Sequence, residues 1–410
     1  MNYTLESLMK ELNVEIIPEQ FHDIFDDVMA DFDAEKIIYL SESYLRELQE
    51  KYDVFPKKFD YILYAAEQIR KNAALARYTA LLERVLRNNN RKGIIRFEDH
   101  PKTDEGDRNG LYGMTVFFAH ASFIPESVEY FRDRNVPENI IRDTLLNLED
   151  ALVMHRQGFA CDGFEVNRHF GWNQHFVICD ILLVRRLNFE MRTFTNSVKV
   201  FKNNKTGEYK ILLFDCLIHP SGYLVGSAGY NDEEGALTAE LLETDEYYEG
   251  YPADTENAKA IREKVRLCKS EWSVALEPGD EVVNVHIPDM PDFSPEAVEY
   301  SYRRFQEVVK ISFPEFRYKA FACGSWLLDP QLRDMLKKDS NILSFQSKYM
   351  RFPIKSQGKA VFTFLFKNQL IKRIEDQTEN TSLERAAKRH YLEGKYIYEP
   401  AGVFFPEQYQ

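Results

Sequence analysis

Residues 281–330, "EVVNVHIPDMPDFSPEAVEYSYRRFQEVVKISFPEFRYKAFACGSWLLDP", decide how the second half of this chain folds. "EVVNVHIP" is β-branched and alternates, so it predicts a strand with Val283, Val285 and Ile287 on one face and Asn284 and His286 on the other. Ser294 followed by Pro295 reads as an N-cap with proline at the first helical position. Val298, Tyr302, Phe305 and Val309 then form one apolar stripe. "RYKAFACGSWLL" is a second strand, and Asp329-Pro330 opens a further short helix. Strand, helix and strand in this order imply a parallel pair joined by a crossover.

Working outward, "NILSFQSKYMRF" and "KAVFTFLF" read as strands, the first opened by Ser340 and Asn341. "TSLERAAKRHYLEG" reads as a last helix, with Thr381 and Glu384 as a capping box and Gly394 as its stop. Upstream, "NFEMRTFTNSVKVFKNNKTGEYKILLFDCLIHP" is dense in aromatic and β-branched residues, with "NNKTGE" as a turn. Residues 229–256 are acidic and turn-rich and read as a solvated loop. The first ~185 residues are helical by pattern. "DYILYAAEQIRKNAALARYTALLERVLRN" is a strong helix former, and Ile141, Leu145, Leu148 and Leu152 form a stripe behind Pro137 and Glu138. The expected division is a helical domain over 1–187 and a mixed α/β domain over 188–410.

A chain of 410 residues with 44% apolar and 14% aromatic content has ample material for two packed cores. Its net charge of −14 argues against a nucleic-acid or anionic-membrane surface. The apolar runs are far short of the ~20 residues of a membrane span. "MNYTLESLMKEL" lacks the basic and apolar regions of a signal peptide. The five cysteines (Cys161, Cys179, Cys216, Cys268, Cys323) are odd in number and unpaired in pattern, which suggests reduced thiols and a cytoplasmic location. Cys216 and His219 stand without further ligands at metal spacing, and His169 and His175 do not face each other on a helix, so no metal is expected.

The chemistry-bearing residues lie on the two strands of the opening stretch. An imidazole such as His286 can take a proton from an attacking amine. The bland alternative is a histidine hydrogen-bonded in a polar layer of the sheet. Cys323 and Ser325 share a strand face by period 2, with Gly324 opposite, where a missing side chain permits close approach. Either could donate a proton, or Cys323 could act as a nucleophile with His286 as its base. Free cysteine is also commonly an inert core residue, and Trp326 reads as core.

"EWSVALEPGDEVVNVHIPDM", "SWLLDPQLRDMLKKDSNILSFQ" and "TSLERAAKRH" resemble the GNAT-like C-terminal domain of a family of bacterial acyltransferases. Upstream, "NIIRDTLLNLEDALVMH" and "ILLVRRLNFEM" are similar to that family's helical N-terminal domain and the strand after it. The resemblance implies a helical N-terminal domain packed on a GNAT-like mixed sheet with flanking helices. Its two central parallel strands would splay, with acyl-CoA in the opening as co-substrate. The strand at Asn284, Val285 and Ile287 would present backbone N–H groups, with Gly324 across the gap and Ser340 and Asn341 at its mouth. It further implies transfer of the acyl group to an amine by direct attack, with His286 as base and Ser325 or Cys323 as acid. Two departures stand out. "HIPDMPDFSPEAV" has no glycine where such enzymes carry a Gly-rich pyrophosphate loop, and Asp289 and Asp292 would repel phosphate. Gly324 also stands where several relatives read C-H-S-W. The other classes that fit are a non-catalytic scaffold that has lost this loop and a cysteine-dependent acyl hydrolase. Acyl length, acceptor and oligomeric state are open at this level.

Overall fold

A computed structural model describes residues 3–30, 32–102 and 110–406. The chain divides into two compact units, Met1–Leu183 and Val184–Gln410. Nine α-helices lie in the first, among its described residues. The longest, Glu138–Phe159, turns the predicted stripe inward, with Ile141, Leu145, Leu148 and Leu152 all buried. The long Ala-rich stretch is two helices, Phe59–Lys71 and Ala73–Asn89, because Asn72 leaves the helical region and its side chain accepts from the N–H groups of Ala74 and Leu75. The first of the two has no side-chain cap of its own. Its leading N–H groups at Lys57 and Lys58 are taken instead by the buried Glu149 carboxylate, at 2.7 and 2.6 Å.

The second unit is built on a sheet in which Leu187–Thr193, Glu281–His286, Ala320–Gly324, Ala401–Phe404 and Met350–Phe352 lie side by side in that order. Glu281–His286 and Ala320–Gly324 run parallel, and the helix Pro295–Ser312 joins them as expected. Ser294 caps that helix through Ala297 N–H, and Val298, Tyr302, Phe305 and Val309 are buried. An aromatic layer fills the space between helix and sheet. Phe189 stacks on Phe305 at 4.4 Å, and Tyr302 meets Phe321 and Phe404 edge-on at 5.0 and 5.1 Å. Such pairs add roughly 0.5–1.5 kcal/mol each beyond the area they bury. The opposite face carries Val282, Ala320, Ala322, Ala401 and Val403, which share a core with Val198, Val200, Ile211 and Leu213 of a second, antiparallel sheet.

Three local expectations are corrected. "NILSFQ" is the helix Asn341–Gln346, capped by Ser340 through Ile342 N–H, and not the start of a strand; pairing resumes only at Met350–Phe352. "AVFTF" is also a short helix, Ala360–Phe364. Within the acidic segment, Tyr247–Asp254 is a strand of the second sheet, paired with Val265–Cys268 and Tyr209–Leu213. Its inward positions are Tyr248, Gly250 and Pro252, so the glycine and proline that read as turn signals are strand residues here. The hairpin at "NNKTGE" is as predicted.

The two units carry buried groups of opposite acid response. Burial pushes His120 and His169 of the helical unit down to about 3, and His100 down to about 4. These imidazoles are neutral when folded and bind protons more readily when unfolded. Their contribution is present above the ordinary value of 6.5 and is lost as pH falls toward 4 and 3. Asp329, buried in the second unit, is pushed up from 3.8 to about 6, so its contribution is present below 3.8 and is lost as pH rises through 6. An acid titration followed by hydrogen exchange should therefore show the helical unit losing protection first between pH 6 and 4. His120→Phe, which cannot charge, should flatten that loss, and an unaltered slope would refute the assignment.

Candidate functional site

The two parallel strands pair only at Val282 with Ala320, Val283 with Phe321 and Asn284 with Ala322. Both strands continue beyond that point on their outer sides. Val285 and His286 stay paired with Phe189 and Asn188, while Cys323 and Gly324 stay paired with Gly402 and Ala401. The ladder between them therefore ends while each is still held by its other neighbour. The strands part, leaving a gap between 285–287 and 323–325 whose facing backbone groups are outside the sheet's own pairing.

The register fixes which side chains share a face. Asn188 lies opposite His286, Glu190 opposite Asn284, and Arg192 opposite Val282, so the polar residues of "LNFEMRT" sit on one face with Asn284 and His286. The Glu190 carboxylate is buried and accepts from His286 Nε2 at 2.8 Å and from the Asn284 amide at 2.9 Å. Asn284 Nδ2 is also 3.1 Å from Nε2. The shorter contact, to a carboxylate that can only accept, places the ring proton on Nε2, and the neutral imidazole then carries its lone pair on Nδ1. The His286 side chain is 32% exposed against 6% for Glu190, so the imidazole is open to solvent while the carboxylate stays buried. Arg192 Nη1 lies 3.6 Å from the other Glu190 oxygen. Glu190 was not among the residues to which the sequence pointed. The available signal was polar residues at every second position of a strand whose intervening residues, Leu187, Phe189 and Met191, are apolar.

The other lip of the gap is arranged differently from the expectation. Because Ala322 lies beside Asn284, it is Ala322 and Gly324 that share the face of His286, and Cys323 points to the opposite face with Phe321. The Cys323 thiol is buried there and pushed up to about 12 by desolvation, which removes the thiolate a covalent mechanism needs. Ser325 lies past the strand end as the cap of the turn Trp326–Leu328. Its oxygen accepts from Leu327 N–H, which leaves its O–H to donate. Gly324 has open space around its Cβ position. Val285 is buried on the helix side and can face the gap only by its backbone. Ser340 and Asn341 belong to the start of the helix Asn341–Gln346 and are not in the wall of the cavity at the end of the ladder.

A cavity of about 190 Å³ opens on the His286 face where the ladder ends, with Asn284, Ala322 and Gly324 in its wall. On the helix side, the proline-rich entry segment is less acidic in effect than its sequence suggests. Asp292 pairs with Arg185 at 2.7 Å and Asp289 with Lys367 at 2.5 Å. Arg186 is buried alongside, donating to the Pro288 carbonyl and stacking over Phe293 at 4.8 Å. Among the described residues, no group of His, Cys, Asp and Glu gathers at metal-binding distance, and no helix is long and apolar enough to cross a membrane.

Comparison with known proteins agrees with this geometry. A family model described as the GNAT-like C-terminal domain matches residues 181–404, and one described as an N-acyltransferase N-terminal domain matches 43–179. A search of curated proteins returned no match. Among solved structures, an acyltransferase in complex with decanoyl-CoA is 18% identical with a TM-score of 0.63, and each chain is covered to 98%. An acyltransferase in complex with decanoyl-CoA and teicoplanin is 16% identical, with the same TM-score and coverage. At that identity the likeness establishes the fold. With more than half of its length matched by one family model, the chain belongs to the family defined by the GNAT-like C-terminal domain, preceded by an N-acyltransferase N-terminal domain.

Proposed function

We propose that this protein transfers an acyl group from an acyl-CoA-type thioester to an amine by direct attack. The early end of the ladder at Asn284 and Ala322 carries the reading, because it opens a gap lined by backbone and bordered by His286 on Glu190. An acyl-CoA lying there would put its thioester carbonyl against the N–H groups of 285–287, donors held in place by the strand's outer pairing. The presence of decanoyl-CoA in the similar acyltransferase supports this donor class.

In the proposed step, the acceptor nitrogen forms a bond to the thioester carbon and gives a proton to His286 Nδ1. Glu190 holds the ring through Nε2 and balances the imidazolium that results. The carbon–sulfur bond then breaks with the Ser325 O–H hydrogen-bonded to the sulfur, and the leaving thiolate takes up the proton that His286 gained, directly or through solvent, so that both side chains return to their starting state. Cys323 has no part in it. Without a Gly-rich loop, the donor's phosphates would lean on side-chain cations beside the entry segment, where Arg186 lacks a carboxylate in contact and two aspartates are already paired.

Acyl-CoA should raise the thermal midpoint of the intact protein, by an amount equivalent to about 2.7 kcal/mol at a hundredfold excess over Kd. No shift with any acyl-CoA from acetyl to decanoyl would favour a non-catalytic scaffold instead. His286→Gln should lower kcat by roughly 10²–10⁴ with donor binding retained. Glu190→Gln should lower kcat with little change in the donor KM; a fall in donor binding alone would mark Glu190 as structural. Cys323→Ala should keep turnover and give no acyl adduct by mass spectrometry, at a stability loss of about 1 kcal/mol for the lost packing. Loss of turnover in a folded Cys323→Ala protein would restore the covalent mechanism.

A further inference from the structure

The cavity on the His286 face has a wall unlike that of an acyl-chain pocket. Its wall includes the small residues Ala322, Gly324, Ala401 and Gly402 and the apolar Phe194, Val282 and Ile354, while one side is polar. Arg192 supplies the formal charge in that wall, and Thr193, Thr195 and Asn196 follow it along the chain. The Arg192 guanidinium is 42% exposed and makes a loose 3.6 Å contact with Glu190 Oε1, whose other oxygen holds His286 and Asn284. Its Nε donates at 3.4 Å to the Thr193 carbonyl, so most of its donor fork is open. The Thr193, Thr195 and Asn196 side chains have no hydrogen bond to another described residue.

Resting on the acyl-transfer reading, we infer that this cavity receives the acceptor, and that the acceptor is a small amine bearing a carboxylate, such as an amino acid. Its carboxylate pairs with Arg192, the residue that determines this specificity. The planar guanidinium fork matches a carboxylate. The amine then lies at Asn284, the cavity-wall residue that shares the Glu190 carboxylate with His286, which itself stands outside the wall. The threonine hydroxyls and the Asn196 amide take the remaining polar groups. An apolar or bulky acceptor would leave these donors desolvated without partners, which costs affinity.

Matched pairs of amino acids and their carboxamides test the inference. With saturating acyl-CoA, release of CoA thiol is followed for the wild type, Arg192→Gln and Arg192→Lys. The free acids should be preferred over the amides by at least tenfold in kcat/KM. That preference should collapse in Arg192→Gln and survive in part in Arg192→Lys. Equal rates for acids and amides, or a preference that survives Arg192→Gln, would overturn the assignment. A second arm measures binding of the same pairs by calorimetry without any donor. If no amine gives thiol release but the acids still bind in an Arg192-dependent manner, the carboxylate site stands and the acyl-transfer reading falls. If acids bind no better than amides, the carboxylate site falls whatever the turnover.

Discussion

The second unit depends on two parallel strands being held together at one end and apart at the other. Parallel pairing needs evenly spaced bonds along both strands, and here it stops at Asn284 and Ala322. Each strand survives the separation because it is an inner strand with a second partner, Leu187–Thr193 on one side and Ala401–Phe404 on the other. The aromatic layer of Phe189, Tyr302, Phe305, Phe321 and Phe404 fixes both strands to one helix. Backbone groups that a closed sheet would consume are thus left outside the pairing between these two strands.

The two faces of that gap divide the chemistry. The helix face is apolar and buries Cys323, whose thiol is kept protonated by desolvation. The other face gathers Glu190, Asn284, His286 and Arg192 beside alanine and glycine residues. A buried carboxylate would be costly in isolation; here the His286 ring, the Asn284 amide and the Arg192 guanidinium satisfy it. The same contacts orient the imidazole, so stabilisation of the carboxylate and positioning of the ring are one arrangement.

Much of the local structure was legible because it rests on short-range rules. Ser294 and Pro295 cap a helix wherever the chain places them, and the Val298–Val309 stripe needs only helical spacing to show its buried face. Readings failed where tertiary pairing overrode local signals. Pro252 and Gly250 sit in a strand because neighbouring strands complete it, and Ser340 caps a helix although the residues after it favour strand. At the site, His286 and Asn284 were visible from alternation alone, but Glu190 was not. It lies more than ninety residues upstream, and no spacing rule links it to His286.

By itself, the sequence determined the elements of the opening stretch, their strand–helix–strand order and the face that His286 and Asn284 share, since side-chain alternation and capping act within a few residues. Tertiary structure alone decided register. Asn284 beside Ala322, and not one residue along, turns Cys323 into the apolar layer and brings Gly324 to the imidazole. A strand's side chains change face with every residue, so a shift of one would have exchanged those two roles, and only the packed sheet fixes which holds.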